Sequence, residues 1–211
     1  MLRCVIIAAA DIGNYEYLKS LIRREDFVVY CDGGLRHMDG IGRKPDLIVG
    51  DFDSHADPHM DIETIVLPRE KDDTDTVYAA KAALNRGYRE FLLLGVLGGR
   101  MDHGLGNIQL LTMLKKRGAG ASIVDDCSEM EIITDGEKAY VEDKYRYFSL
   151  ISLSDITAGV NITNSKYNLE NGTFTNEFPI GISNEVLKGG AACISVEKGT
   201  LLLIKIYSEQ Y

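Results

Sequence analysis

The chain has 211 residues, 45% of them hydrophobic, which is enough to bury a core without cross-links. Its formal charge of −9 excludes a broad nucleic-acid-binding face, which needs clustered Lys and Arg, but leaves room for a nucleotide bridged to carboxylates by a divalent cation. The four cysteines lie far apart, so neither a zinc ribbon nor a disulfide framework is indicated, and a reducing cytoplasm is the expected setting.

The opening apolar run at 3–10 leads straight into Asp11 and reads as a first buried strand rather than a signal sequence. Further strand-like runs follow at 27–31, 46–49, 62–67, 91–97 and 121–124, with helices at 15–24, 74–86 and 103–117. Runs without strict alternation suit strands covered on both faces, so the repetition predicts a parallel sheet flanked by helices. Gly87 and Gly118 stand where the last two helices should stop. After Asp135-Gly136 the texture changes to short strands at 138–141, 145–153, 156–163, 191–196 and 201–207, broken by Asn, Gly and Ser. The fold class is therefore α/β: a Rossmann-like parallel-sheet domain over residues 1–136, then a small all-β sandwich over 137–211. No segment approaches the roughly 20 apolar residues that span a bilayer, so no membrane partner is expected.

Four polar clusters each follow a strand of the first domain: Asp32-Gly33-Gly34, Gly50-Asp51-Phe52-Asp53-Ser54, Lys71-Asp72-Asp73-Thr74-Asp75 and Gly98-Gly99-Arg100-Met101-Asp102-His103. In an open parallel sheet, ligands bind beyond the carboxyl ends of the strands, so these clusters should share one crevice. If 51–53 is extended, Asp51 and Asp53 point the same way and suit Mg²⁺; a solvated Asp-rich turn is the plain alternative. Thr74 and its neighbours equally suit a helix cap, and Asp32-Gly33-Gly34 suits either a tight turn or a close approach of backbone to ligand. Lys71 offers a point charge, and Arg100 a bidentate fork, for a phosphate group. His37 reads as a surface residue and His103 as a helix-start residue. His55 and His59 lack a third zinc ligand nearby.

Taken in order, GDFDS at 50–54, KDDTD at 71–75 and GGRMDH at 98–103, with DGG at 32–34, resemble the thiamine pyrophosphokinase family. The resemblance continues through Tyr167-Asn168-Leu169-Glu170 and Gly181-Ile182-Ser183-Asn184-Glu185. It implies transfer of the diphosphate of ATP to the hydroxyl of thiamine, with Mg²⁺ as cofactor, in a cytoplasmic homodimer. It further implies an ATP-binding catalytic first domain and a thiamine-binding second domain, with thiamine held between the two kinds of domain. By this resemblance Asp51, Asp53 and Asp75 are the magnesium and diphosphate carboxylates, Lys71, Asp72 and Arg100 surround ATP, and Asp102 lies near thiamine. Asp32, Gly33, Gly34 and Thr74 join the ATP side, whereas Ser183 and Asn184 join the thiamine side. Lys71 or Arg100 would offset charge developing on the phosphates, and Asp102 would orient or deprotonate the alcohol. The loop at 8–14 is less glycine-rich than the family's, and this chain has no tryptophan, with Leu202 or Leu203 falling near the place where some members stack one on thiamine. The rival readings are another Mg-dependent phospho- or nucleotidyl-transferase and a non-catalytic nucleotide-sensing module.

Overall fold

The computed structural model describes residues 2–51, 61–68, 70 and 72–207. The chain forms two compact units, Met1–Asp126 and Cys127–Tyr211.

In the first unit β1 (Arg3–Ile7), β2 (Phe27–Cys31), β3 (Leu47–Gly50), β4 (Thr64–Val66), β5 (Glu90–Leu94) and β6 (Gly120–Val124) pair in parallel in the order β6-β5-β1-β2-β3-β4. Every residue of β3, and all but the first of β1, β2 and β5, is buried, as two covered faces require. The helices are α1 (Tyr15–Ser20), α2 (Met38–Ile41), α3 (Asp75–Asn85) and α4 (Met101–Lys116), with a 3-10 helix (Asp32–His37) between β2 and α2. α1 stops short of the expected residue 24 because the buried Asp26 draws the chain into a turn, accepting the Arg23 amide at 2.7 Å and the Arg3 guanidinium at 2.5 and 3.0 Å. The expected glycine stops hold: Gly87 and Gly118 adopt φ of 92° and 72°, where a side chain would be strained.

The second unit stacks a sheet of β12 (Gly181–Asn184), β9 (Tyr147–Ser152), β14 (Thr200–Ile206) and β7 (Ser128–Thr134), in that order, on one of β11 (Leu169–Thr175), β10 (Ile156–Thr163), β13 (Ala191–Ser195) and β8 (Lys138–Glu142). Among the described residues the pairings within these sheets are antiparallel, and Phe148, Leu150, Val160, Phe174, Ile194 and Leu203 fill the space between them. The units divide ten residues before the boundary expected at 136. The cause is β7, whose residues pair with β14 from Ser128 opposite Ile206 to Thr134 opposite Thr200, so that it belongs to the sandwich.

Candidate functional site

The order of the first sheet reverses at β1: the chain runs outward to β4 on one side, then returns to place β5 on the other. Loops leaving β1 and β5 therefore part in opposite directions and open a crevice at the carboxyl edge. A cleft of about 380 Å³ lies there, lined by Ala8 to Asp11, Arg36, the glycines after β5, Arg100 and His103. Gly95 makes the approach of the two loops possible. Its φ is 61°, and an added Cβ would stand 2.6 Å from the Ala8 carbonyl oxygen.

Side chains fix the β1 loop in place of glycine. Arg36 donates to the Ala9 carbonyl and, at 2.7 Å, to the Asp11 carboxylate. His37 is buried rather than on the surface, with 2% exposure, because its ring is held between the Ala10 carbonyl at 3.0 Å and the Tyr15 hydroxyl at 2.7 Å. A carbonyl only accepts, so Nε2 donates to it and Nδ1 accepts from Tyr15; the 3.3 Å approach of Arg36 Nε to Nε2 is then a contact rather than a hydrogen bond. Burial, reinforced by the Arg36 charge, lowers the His37 pKa and favours this neutral ring. Arg36 and His37 had no motif to announce them.

Three carboxylates occupy the same edge further along. Asp32 opens the 3-10 helix at φ 40°, Asp51 directly follows β3, and Asp75 is the first residue of α3; all three are half-buried. Burial pushes the pKa of the adjoining Cys31 thiol up, and the nearby Asp75 and Asp32 charges raise it further. Gly33 and Gly34 are buried, and a Cβ at Gly34 would collide with the Ile7 carbonyl oxygen, so that glycine serves the packing of backbone on β1. Hard carboxylate oxygens at Asp51 and Asp75 suit Mg²⁺. Among the described residues, no group of three or more His, Cys, Asp or Glu forms a metal cluster. Asp53 and Lys71, expected at this site, lie outside the described residues, as do His55 and His59.

A second cleft of about 350 Å³ joins the start of α3 to α4, lined by Asp72, Thr74, Asp102, His103 and Asn107 among others. Thr74 is the cap of α3, accepting the Val77 amide at 3.3 Å, and Lys81 bonds both oxygens of Asp73 at 2.7 Å. Arg100 and Asp102 are both exposed and grip each other at 2.6 and 3.2 Å. The Arg100 hydrogen bond draws the Asp102 pKa down to about 2, which makes this carboxylate a weak base. His103 is exposed and faces both clefts. Sequence reasoning missed the buried Asn107, which donates to the Val96 carbonyl at 2.8 Å and so ties α4 to the β5 loop.

In the second unit, Ser183 and Asn184 end β12 and differ sharply. Ser183 is exposed at φ 60°. Asn184 is buried, and its amide accepts from the Tyr167 and Glu185 nitrogens at 3.1 and 2.9 Å while donating to the Tyr167 carbonyl at 2.8 Å and the Ser165 hydroxyl at 3.3 Å. Its polar atoms thus hold the Tyr167 segment beside a hollow of about 150 Å³ lined by Phe148, Phe174 and Ile182. Leu202 and Leu203, which fall near the place of the tryptophan that some members stack on thiamine, are both buried in β14.

Residues 18–123 match the family model described as thiamin pyrophosphokinase, catalytic domain, and residues 131–201 match that of the thiamin pyrophosphokinase vitamin B1 binding domain. A thiamine pyrophosphokinase of Bacillus subtilis (strain 168) is 33% identical over 163 residues, covering 74% of this chain and 76% of that protein. A solved thiamine pyrophosphokinase from Bacillus subtilis is similar at a TM-score of 0.87 and 26% identity, over 98% of this chain and 100% of that one. The corresponding structure from Geobacillus thermodenitrificans gives 0.84 and 26%, over 100% of this chain and 99% of that one. With one family model on each unit and a relative above 30% identity across most of its length, the chain belongs to the thiamine pyrophosphokinase family.

Proposed function

We propose that this chain is a thiamine diphosphokinase in which the carboxyl edge of the first sheet carries ATP and the second unit supplies the thiamine contacts. The observation that carries the reading is the match of a catalytic and a vitamin B1 binding family model to the two units in turn. The hydroxyl of thiamine attacks the β-phosphorus of ATP in line, AMP leaves, and thiamine diphosphate forms. Such a transfer depends mainly on positioning and on neutralising phosphate charge.

Asp51 and Asp75, with Asp53, would hold Mg²⁺, and the donor chemistry of the two described carboxylates fits that ion. When bound, the ion would supply positive charge to offset that of the diphosphate. The cleft at β1 and β5, which Arg100 lines, takes the nucleotide; by the family resemblance Asp32, Gly33, Gly34, Asp72, Thr74 and Lys71 would serve ATP with it. Asp102 orients the alcohol rather than taking its proton, since Arg100 holds it in the ionised, weakly basic state. Ser183 offers the exposed hydroxyl toward thiamine, and Asn184 fixes the neighbouring Tyr167 backbone. The working species is a homodimer, to be checked by light scattering, and cytoplasmic. Among the described residues, no helix is long and apolar enough to cross a membrane.

The deciding experiment incubates the protein with ATP, Mg²⁺ and thiamine. Release of AMP matched by thiamine diphosphate supports the reading; ADP in its place makes the chain a different phosphotransferase, and ATP binding without turnover makes it a sensor.

A further inference from the structure

The loop between β1 and α1 is gripped from a point 113 residues further on. Asp126 lies two residues beyond β6, at the same carboxyl edge, and is half-buried. Its Oδ2 accepts the Gly13 amide at 2.6 Å and its Oδ1 the Asn14 amide at 2.9 Å. Asn14 in turn caps α1, accepting the Tyr17 amide at 3.0 Å. One carboxylate thus anchors the end of the loop whose beginning, Ala8 to Asp11, lines the switch-point cleft. A Cβ at Gly13 would stand 2.8 Å from Asp126 Oδ2, so a side chain there would push the carboxylate out of this position. Arg36 and His37 take loop carbonyls, whereas Asp126 takes loop amides. Together they impose a defined path on a loop whose own sequence does not prescribe one.

We propose that Asp126 is a positioning residue for the nucleotide: it sets the loop that walls the cleft without touching the reacting atoms. This rests on assigning that cleft to ATP. Loss of the clamp lets the wall relax, so the effect falls on nucleotide affinity and leaves the thiamine side unchanged.

The test measures the MgATP dissociation constant by calorimetry and the Michaelis constants on the full chain. Asp126→Ala should weaken MgATP binding about 10-fold, with the thiamine KM within about twofold of the parent. Asp126→Asn keeps one acceptor oxygen and should lose less. Gly13→Ala should reproduce the Asp126→Ala effect, and the double variant should be no worse than either single, because both break one contact. Asp26→Asn, which loosens the Arg3 pairing near the opposite edge, serves as the stability control and should leave MgATP affinity unchanged. Equal losses in Asp26→Asn and Asp126→Ala, or single effects that multiply in the double variant, would overturn the proposal. Amide exchange at Gly13 and Asn14 reads the clamp without ligand. No acceleration in Asp126→Ala refutes the clamp, whereas acceleration in a protein that never binds MgATP refutes the nucleotide assignment beneath it.

Discussion

Replacing Asn184 with alanine separates a ligand contact from a structural brace. The substitution deletes two acceptor and two donor interactions, three of which go to the Tyr167 and Glu185 backbone. At about 1 kcal/mol net for each bond, four bonds set a ceiling of about 4 kcal/mol. The Ser165 hydroxyl keeps alternatives in the Tyr167 carbonyl at 3.0 Å and Asn168 at 3.2 Å, so its bond at 3.3 Å is the cheapest to lose. The Tyr167 amide, which loses its acceptor, is the costly one, whereas the Tyr167 carbonyl keeps the Ser165 hydroxyl, and the expected loss is about 2 kcal/mol. Urea unfolding followed by circular dichroism measures it, with the midpoint falling and the slope unchanged. A loss below about 0.5 kcal/mol, the range of an ordinary surface change, accompanied by a raised thiamine KM would refute the reasoning and make Asn184 a direct ligand.

Thr74→Ala should cost about 1 kcal/mol by removing the α3 cap and should also reduce turnover, because the cap sets the start of the helix that carries Asp75; an unchanged melting temperature with full activity would contradict this. Asp51→Asn should lower kcat by about 10²-fold or more at unchanged stability, and near-normal turnover at saturating Mg²⁺ would remove Asp51 from the site. The Arg100 pairing depresses the Asp102 pKa from 3.8 to about 2, so its stabilising contribution is full above the ordinary value and disappears as pH falls through about 2. Arg100→Ala should return the Asp102 midpoint to about 3.9 in a carboxyl-carbon NMR titration, and a midpoint that stays put would assign the depression to another group.

The parallel sheet was legible because its strands are continuous apolar runs with glycine or aspartate at their ends, and Thr74, Gly87 and Gly118 announced helix termini by their chemistry. The sandwich was harder. β7 reads Ser-Glu-Met-Glu-Ile-Ile-Thr, with charge on alternate positions, and β11 carries Asn171 at φ 48° and Gly172 in mid-strand, so that both resemble turns. The strand character of β7 comes from partners between 66 (Thr134 to Thr200) and 78 (Ser128 to Ile206) residues away and that of β11 from β10, which local pattern does not encode. The site divided similarly. Carboxylates near strand ends were visible as motifs, whereas Arg36, His37, Asn107 and Asp126 act through contacts fixed only by the tertiary path. Asn184 was visible as a motif residue, but the commitment of its amide to the Tyr167 backbone was not.

The thiols of β1 and β2 turn the first sheet into its own clock. Cys4 and Cys31 are buried, and burial first, then neighbouring carboxylates, hold both thiols well above their ordinary pKa. Neither reacts with an alkylating reagent until the strand around it opens, so the labelling rate counts opening events rather than surface chemistry. The two sites sample different events: Cys4 lies near the start of β1, whereas Cys31 directly precedes Asp32 at the carboxyl edge. Fraying confined to that edge labels Cys31 and not Cys4, and a ligand seated there slows Cys31 while Cys4 continues to follow the unfolding of the whole sheet.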